Sequence, residues 1–320
     1  APTEAGEYYA SATYFGDATH GTSSFKCQLT IKASEVTVTL PEVHTIYNEE
    51  VDHTSEAFSQ ISGGYIADAD KAAIRAGITC ECADGATVSG SPYLVSANIP
   101  DSVRNNKNYK ITVKGSSDIG AYGLHYVEKR HASVTIDNAS KAYGNDDPAF
   151  TFTVFDDYDG TEHKAFADQS AIAQELGIAV TRPDKGSEAG EAVGNHALVG
   201  SWNSNPNYEL SFKNDAVLTI AERTMQVELQ SASKYYGDDD PEFTYKVFDT
   251  STAGEKKEVT DPEAIAKLGI SVTRAAGDDA GHYALKGDWT NKNYAVSFNS
   301  DAGLTINARP MSVVIDSASK

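Results

Sequence analysis

The sequence has little of several residue types, and each shortage excludes a class of protein. Among 320 residues there are three cysteines, two methionines and two tryptophans, and 26 basic residues stand against 46 acidic ones. The net charge of −20 argues against nucleic acid as a partner, because phosphate binding needs clustered Lys and Arg. Anionic membrane surfaces are disfavoured for the same reason. No apolar run approaches the roughly 18 residues that a membrane-spanning helix needs.

The three cysteines all lie within the first 82 residues of the chain, at Cys27, Cys80 and Cys82. Cys80 and Cys82 are spaced i and i+2 in "ITCEC", so they would share one strand face and could not easily bridge each other. A disulfide that joins Cys27 to Cys80 or to Cys82 is an alternative left open. A zinc site is disfavoured, because no second Cys or His pair lies at ligand spacing.

Catalytic motifs are missing as well. No Gly-x-Ser-x-Gly, phosphate loop, His-Glu-x-x-His or paired Cys/His arrangement occurs, and no catalytic or cofactor-binding residue is predicted. Carboxylates are abundant, so composition alone leaves a glycosidase pair open. In a protein built from repeated domains, only one of the copies would have to carry such a catalytic pair. We therefore predict that the segment is not an enzyme.

What the chain does contain is an internal repeat. "NASKAYGNDDPAFTFTVFD" from Asn138 is answered by "SASKYYGDDDPEFTYKVFD" from Ser231, and "ELGIAVTR" from Glu175 by "KLGISVTR" from Lys267. A Trp before an Asn-Tyr pair and a Leu-Thr-Ile strand follow in both copies. Four landmarks in the same order indicate a true repeat.

A divergent copy precedes these two. "NKNYKITV" at Asn106 matches "NKNYAVSF" at Asn291, but the opening around Tyr47 lacks both Tyr-Gly and Asp-Pro. The N-terminal segment from Ala5 to "LTI" has the same length as the segment from Ala280 to "LTI". We therefore expect the second half of a preceding module at 1–33, a divergent repeat at 34–131, repeats at 132–222 and 223–309, and the first strand of a following module at 310–320.

Each module is predicted to be mostly β with one short helix. Short runs such as "MQVELQ" and "YAVSF" alternate in hydrophobicity between turn residues, which is typical of strands. In "TDPEAIAKLG", Thr260 or Asp261 can cap a helix, Pro262 suits its first turn and Gly269 can end it. The predicted fold is a series of small β-sandwich-like or β-grasp-like modules arranged end to end. Links of about four residues without a Gly-rich spacer predict a stiff rod.

These ordered landmarks resemble the MBG repeat ("mostly beta, glycine-rich") of bacterial surface proteins and adhesins. The matching elements are "YGNDDPAFT" and "YGDDDPEFT", then "LGI", "GNHAL" or "GHYAL", an Asn-Tyr pair and "LTI", over about residues 132–309. The match is weaker over 34–131, and residues 1–33 also resemble the end of a bacterial immunoglobulin-like surface repeat. The resemblance implies an extracellular, cell-wall-associated location and a stalk or adhesive role, with no known catalytic residues.

The repeated acidic clusters are the candidate metal ligands. Calcium takes six to eight oxygens, which carboxylates and loop carbonyls could supply. The spacing matches no known calcium loop, however, and Asp commonly initiates turns by binding its own backbone. A turn role is therefore favoured and no cofactor is predicted, with calcium as the alternative at Asp146, Asp147, Asp239 and Asp240.

The recurring Trp and Lys residues are candidates of a different kind. Trp202 and Trp289 could stack on a sugar if exposed, but repetition at one position favours the core or a module interface. Lys141 and Lys234, like Lys320, recur in "ASK". An isopeptide bond from these lysines is disfavoured, because it needs apolar surroundings and "ASK" lies among polar turn residues.

The leading hypothesis is a non-catalytic stalk that projects an adhesive domain located elsewhere, with neighbouring repeats of the same chain as its partners. The alternative is direct binding of a host glycan or extracellular protein by the divergent repeat. That copy carries "SQISGGYIADAD", in which Tyr65 is the candidate contact.

Overall fold

The computed structural model describes residues 1–82, 85–116, 120–158, 163–213, 215–299 and 301–315. These residues form 26 strands and four short α-helices, which confirms the mostly β fold class. None of the helices in the described ranges is both long and apolar enough to cross a bilayer.

The chain divides into two compact units whose limits do not coincide with the repeats. The second repeat contributes to both units. The first unit comprises Ala1–Ser133, Val154–Leu176 and Asn203–Ser211, and the second comprises Val134–Thr153, Gly177–Trp202 and Phe212–Lys320.

An antiparallel hairpin opens the chain, with strands β1 (Gly6–Tyr14) and β2 (Ser23–Ile31) paired from Gly6↔Ile31 to Tyr14↔Ser23. Most of its residues are exposed on both faces, including Phe15 and Phe25. The expectation that 1–33 is half of a preceding module remains a prediction.

The divergent repeat forms two sheets, one with strand order β5-β3-β8 and one with order β4-β9-β7-β6. It has two α-helices where one was expected, because "PDSVRN" adds a short turn of helix before β8. Its elements are β3 (Ser34–Thr39), β4 (Glu42–Ile46), β5 (Gln60–Gly63), α1 (Asp68–Ala76), β6 (Ile78–Cys80), β7 (Tyr93–Ala97), α2 (Asp101–Arg104), β8 (Tyr109–Lys114) and β9 (Gly123–Glu128), with a 3₁₀-helix at Val88–Gly90.

The second repeat repeats this plan in sheets of order β13-β12-β10-β17 and β11-β18-β15, with a β14-β16 pair. Its elements are β10 (Arg130–Ile136), β11 (Ala139–Ala142), β12 (Phe152–Tyr158), β13 (Lys164–Ala165), α3 (Gln169–Leu176), β14 (Ala179–Thr181), β15 (Gly194–Ala197), β16 (Val199–Ser201), β17 (Tyr208–Lys213) and β18 (Val217–Ala221).

The third repeat has sheets of order β22-β21-β19-β25 and β20-β26-β24-β23. Residues 308–315 lie outside any strand, and 316–320 lie outside the described residues, so the predicted strand at 310–320 stays a prediction. The elements are β19 (Arg223–Leu229), β20 (Ala232–Tyr235), β21 (Tyr245–Asp249), β22 (Lys257–Val259), α4 (Pro262–Ala266), β23 (Ser271–Arg274), β24 (Gly281–Asp288), β25 (Tyr294–Phe298) and β26 (Gly303–Asn307).

Equivalent strands pair in the same sense in different repeats. The first strand runs parallel to the strand after the Asn-Tyr pair, as β3 does with β8 and β19 with β25. The second strand runs parallel to the last, as β4 does with β9, β11 with β18 and β20 with β26. The divergent repeat therefore keeps the topology of the other two although its opening sequence differs.

The buried side chains explain why two sheets form in each module. In the third repeat the core combines Val227 of β19 with Leu304 of β26, which belong to different sheets. In the divergent repeat Val38 of β3 meets Val95 of β7 in the same way. Alternating strands bury one face each, so two sheets enclose an apolar layer. This arrangement is sandwich-like.

Helix α4 begins and ends as its sequence predicts. The Asp261 carboxylate accepts the Glu263 N–H at 3.0 Å, so Asp261 rather than Thr260 is the cap. Gly269 ends the segment with a φ of 63°, a left-handed value that costs a side-chain-bearing residue energy.

Candidate functional site

Arg130 and Arg223 each join one repeat to the next. In the second unit, Nη1 of Arg223 donates to the Tyr143 carbonyl at 3.1 Å and to Asn145 Oδ1 at 2.9 Å. Its Nε donates to Asp249 in the next repeat at 3.1 Å. The guanidinium suits this position because its planar fork can bind groups on two sides at once.

The same contacts occur inside the first unit. Nη1 of Arg130 donates to the Tyr47 carbonyl at 3.1 Å, and Nε donates to Asp156 at 2.9 Å. The Asp156 hydrogen bond raises the pKa of Arg130 further, although burial opposes the shift. We call Arg130 and Arg223, with the Tyr and Asp that each binds, the junction residues.

Aromatic pairs reinforce both junctions. Tyr47 lies edge-on to Tyr208 with ring centroids 5.4 Å apart, and Tyr143 lies edge-on to Tyr294 at 5.3 Å. Edge-to-face pairs at this separation are favourable. Asn48, which follows Tyr47, takes the left-handed conformation that Gly144 takes after Tyr143, so the turn persists without the glycine.

The Asn of each Asn-Tyr pair reaches back to the preceding part of the chain. Asn207 Oδ1 accepts the Val88 N–H at 2.9 Å, and Asn293 Oδ1 accepts the Val193 N–H at 3.0 Å. Asn108 accepts the Ala5 N–H in the same manner at 2.6 Å. In all three copies the Asn of the Asn-Tyr landmark therefore joins consecutive parts of the chain.

A second repeated feature is a buried ion network inside the second repeat. Asp147 Oδ1 lies 2.7 Å from Lys141 Nζ and 3.1 Å from Arg182 Nη2, and Lys141 Nζ lies 2.9 Å from Glu191 Oε2. Arg182 has no exposed side-chain surface. Lys234, Asp240 and Arg274 repeat the core of this network in the third repeat.

The hydrogen bonds of the network shift the pKa values of its members so that the charged form of each group is favoured. Hydrogen bonds from Lys141 and the Gly186 N–H lower the pKa of Glu191 to about 2. Burial opposes ionisation of Asp147, but the hydrogen bonds from Lys141 and Arg182 outweigh it and lower its pKa. Burial likewise opposes a charge on Lys141, while its bonds to Asp147 and Glu191 raise its pKa overall.

Four metal-ligating side chains meet in the divergent repeat. The ligand atoms of His53, Cys80, Cys82 and His125 all lie within 4.8 Å of one another. His125 is fully buried and Cys82 is buried. Burial and the neighbouring Cys80 raise the pKa of the Cys82 thiol to about 12, and burial lowers the pKa values of His53 and His125. Burial therefore disfavours the charged form of all three groups.

The family comparison decides what kind of chain this is. The family model described as MBG domain (YGX type) matches residues 132–219 and 225–305, together more than half of the chain. The chain belongs to the MBG family. No curated protein matches the sequence.

The MBG match confirms the resemblance drawn from the landmarks and gives the chain two family repeats in tandem. The MBG domain is a repeat domain and not a known enzyme family. The Tyr that opens the YGX motif, Tyr143 in the first match, is a junction residue. The motif therefore holds the boundary between MBG repeats.

The aspartates considered for calcium have other contacts. Asp147 and Asp240 are each held by a Lys and an Arg, which compete with a cation for the carboxylate oxygens. Asp146 and Asp239 neighbour them in the same turns. The sequence has one more oxygen-rich stretch, "DDYDGTE" from Asp156 to Glu162, and its residues 159–162 lie outside the described residues.

The disulfide that the sequence left open, from Cys27 to Cys80 or to Cys82, does not form. All three cysteines are free, with Cys27 exposed on the N-terminal hairpin. Cys80 and Cys82 instead face His53 and His125. The spacing argument against a metal overlooked them because the two histidines come from separate segments, each with one ligand.

Of the aromatic residues considered as ligand contacts, some are packed in the protein and one is exposed. Trp289 packs against the core of its repeat, and its Nε1 donates to the Tyr294 carbonyl at 3.0 Å. Trp202 is half-buried. Tyr65 is 80% exposed and lines a shallow cavity of about 300 Å³ with Gly63, Gly64 and Lys71.

Sequence reasoning missed the arginines of both networks. Arg182 and Arg274 end the "VTR" landmark, and Arg130 and Arg223 are each the first residue of a repeat's first strand. Recurrence at a fixed place was the available signal. An arginine that recurs at the end of a strand, in a chain rich in Asp and Glu, could on that basis have been predicted to pair with a carboxylate.

Proposed function

We propose that this segment is a non-catalytic stalk or spacer in an adhesin on a bacterial cell surface. The observation that carries the proposal is the junction itself. The same Arg, Tyr and Asp occur at both boundaries, and an aromatic pair accompanies each. A chain that fixes these two boundaries by the same contacts is suited to hold a separate domain away from the cell.

The MBG family assignment supports a repeat role, and the extracellular location follows from the resemblance to bacterial surface proteins. An acidic, dispersed surface charge suits a segment that stays apart from its neighbours. Neighbouring repeats are the expected partners, and neither nucleic acid nor a membrane is a partner of this segment.

Small-angle X-ray scattering tests the stalk proposal. A compact particle of this length has a radius of gyration of about 20 Å. A stiff stalk should give a value well above that figure, with a rod-like cross-section and a narrow distance distribution. A radius near the compact value, or a broad distribution typical of free hinges, would contradict the proposal.

Direct ligand binding by the divergent repeat is the second candidate function. The exposed ring of Tyr65 beside Gly63 and Gly64 favours it, because an accessible aromatic ring can stack on a sugar. A glycan array with the chain and with Tyr65→Ala discriminates between the two functions. Selective binding that Tyr65→Ala abolishes supports the ligand role, and binding to no glycan supports the pure stalk.

A further inference from the structure

The cysteine–histidine cluster has the dimensions of a tetrahedral metal site. A zinc ion bonded to sulfur and nitrogen at ordinary lengths holds those two atoms about 3.6 Å apart. In the structure Cys82 Sγ lies 3.4 Å from His53 Nε2 and 3.7 Å from His125 Nδ1, and Cys80 Sγ lies 3.8 Å from His125 Nδ1. The four side chains need little movement to enclose one ion.

The supporting contacts orient the ligands. Nε2 of His125 lies 2.7 Å from Thr45 Oγ1, so its N–H can donate there and leave the Nδ1 lone pair toward the thiols. Phe58 packs edge-on against His53 at 4.7 Å and His125 at 5.3 Å. Because Phe58 is itself buried, it shields the cluster from water on that side.

The position of the cluster matches that of the ion network in the MBG repeats. Cys82 lies five residues after Gly77, as Arg182 lies five after Gly177, and Thr45 precedes the junction tyrosine by two residues, as Lys141 does. His125 lies five residues before Arg130, as Leu218 lies five residues before Arg223, so His125 takes the place of Leu218. In the divergent repeat a thiol and a hydroxyl, Cys82 and Thr45, therefore stand where the second repeat has Arg182 and Lys141.

We propose that His53, Cys80, Cys82 and His125 bind one zinc ion, which cross-links the divergent repeat where the other repeats use ion pairs. Two thiols and two imidazoles in a tetrahedral arrangement suit zinc, whereas magnesium and calcium prefer oxygen ligands. On binding, both thiols lose their protons to solvent, and two thiolates neutralise the dication. No oxidant or reductant is involved.

The first experiment measures zinc in the whole chain after refolding with zinc sulfate and removal of excess ion. One zinc per chain is expected by elemental mass spectrometry. Cys27→Ser, which changes the exposed cysteine outside the cluster, should keep the full amount, and Cys80→Ser combined with Cys82→Ser should lose it. Retention of zinc by the double variant, or its absence from the unsubstituted chain, would overturn the proposal.

A second measurement counts reactive thiols with Ellman's reagent. With zinc bound only Cys27 should react quickly, and a chelator should release the other two. Three equally reactive thiols in the presence of zinc would contradict the proposal. So would a refolded chain two hydrogens lighter than expected whose disulfide is mapped by peptide mass spectrometry to Cys80 and Cys82.

Two further tests do not depend on the folding of the double serine variant. His125→Leu restores the residue that both MBG repeats carry at this position, so it should fold and bind zinc at least tenfold more weakly. Cobalt added to the unsubstituted chain should give the intense visible bands of tetrahedral coordination and a thiolate charge-transfer band. Weak octahedral bands alone would overturn the assignment.

Discussion

The Asp147 carboxylate depends on its cationic neighbours. Its side chain is 4% exposed, and burial of an unpaired carboxylate is costly. Lys141 and Arg182 offset that cost with hydrogen bonds as well as charge. The equivalent Asp240 is more exposed, at 33%, so water provides part of its solvation. The same three residue types therefore carry different energetic weight in the two MBG repeats.

Arg182→Met should destabilise the second repeat by about 3–5 kcal/mol, because it leaves a buried carboxylate with one partner fewer. The matched control is Arg274→Met, which removes the equivalent side chain where it is 15% exposed, and its loss should be smaller. Hydrogen exchange in urea, read on peptides from each repeat, measures both losses in the whole chain. Equal losses would refute the burial argument.

The second repeat should also lose stability in acid. Glu191 has a pKa of about 2 when folded, below the ordinary value of 4.5, and the pKa of Asp147 is lowered too. The unfolded chain therefore binds more protons as the pH falls, and the stabilisation present above about pH 4.5 is lost toward pH 2. Thermal unfolding across this range should show the decline, and Glu191→Gln should make it shallower.

At the scale of the element, the stability of the short helices depends more on the residues at their ends than on their length. Helix α4 spans Pro262–Ala266 and has an Asp cap, an N-terminal proline and a left-handed glycine three residues after its last turn. A helix this short is not stable by itself in water. Its caps and the burial of Leu268 in the core keep it in place.

Gly269→Ala should destabilise the third repeat by about 1–2 kcal/mol or more, because a left-handed φ disfavours any Cβ. The added carbon would also collide with Thr290 Oγ1. Gly281→Ala is the control, since its Cβ would meet only the Tyr283 ring at 3.9 Å. Chemical denaturation should separate the two variants, and equal stability would show that the turn relaxes freely.

At the scale of the whole molecule, stiffness should depend on the junction residues. Each linker arginine binds the repeat before it and the repeat after it, so its removal frees the boundary without emptying a core. Arg309 binds the repeat before it, because its Nε donates a hydrogen bond to the Tyr236 carbonyl at 2.9 Å. It is therefore a natural reference for the other two arginines.

Arg223→Met should broaden the distribution of distances in solution scattering and raise hydrogen exchange at the boundary between the second and third repeats. Arg309→Met should change neither quantity, because it breaks no contact between those repeats. Circular dichroism on both variants checks that the strands are retained. An unchanged scattering profile for Arg223→Met would show that the Tyr143–Tyr294 pair and the Asn293–Val193 hydrogen bond fix this boundary without the arginine.

The sequence by itself determined the repeat, its register, the mostly β fold and the helix ends. Those features depend on local periodicity and on residues that recur at fixed places, both of which are visible in one dimension. The sequence also placed Asp147, Arg182 and Tyr143 within repeated landmarks, but it did not indicate which residues they contact.

Only the tertiary structure decided which side chains meet. Lys141, Asp147 and Arg182 come from three segments that sheet pairing brings together, and His53 and His125 approach Cys80 and Cys82 in the same way. Each contact joins residues far apart in the chain, and its geometry is fixed by strand register and core packing. For that reason the sequence left a disulfide open, whereas the structure places Cys80 and Cys82 in a cluster of thiols and imidazoles.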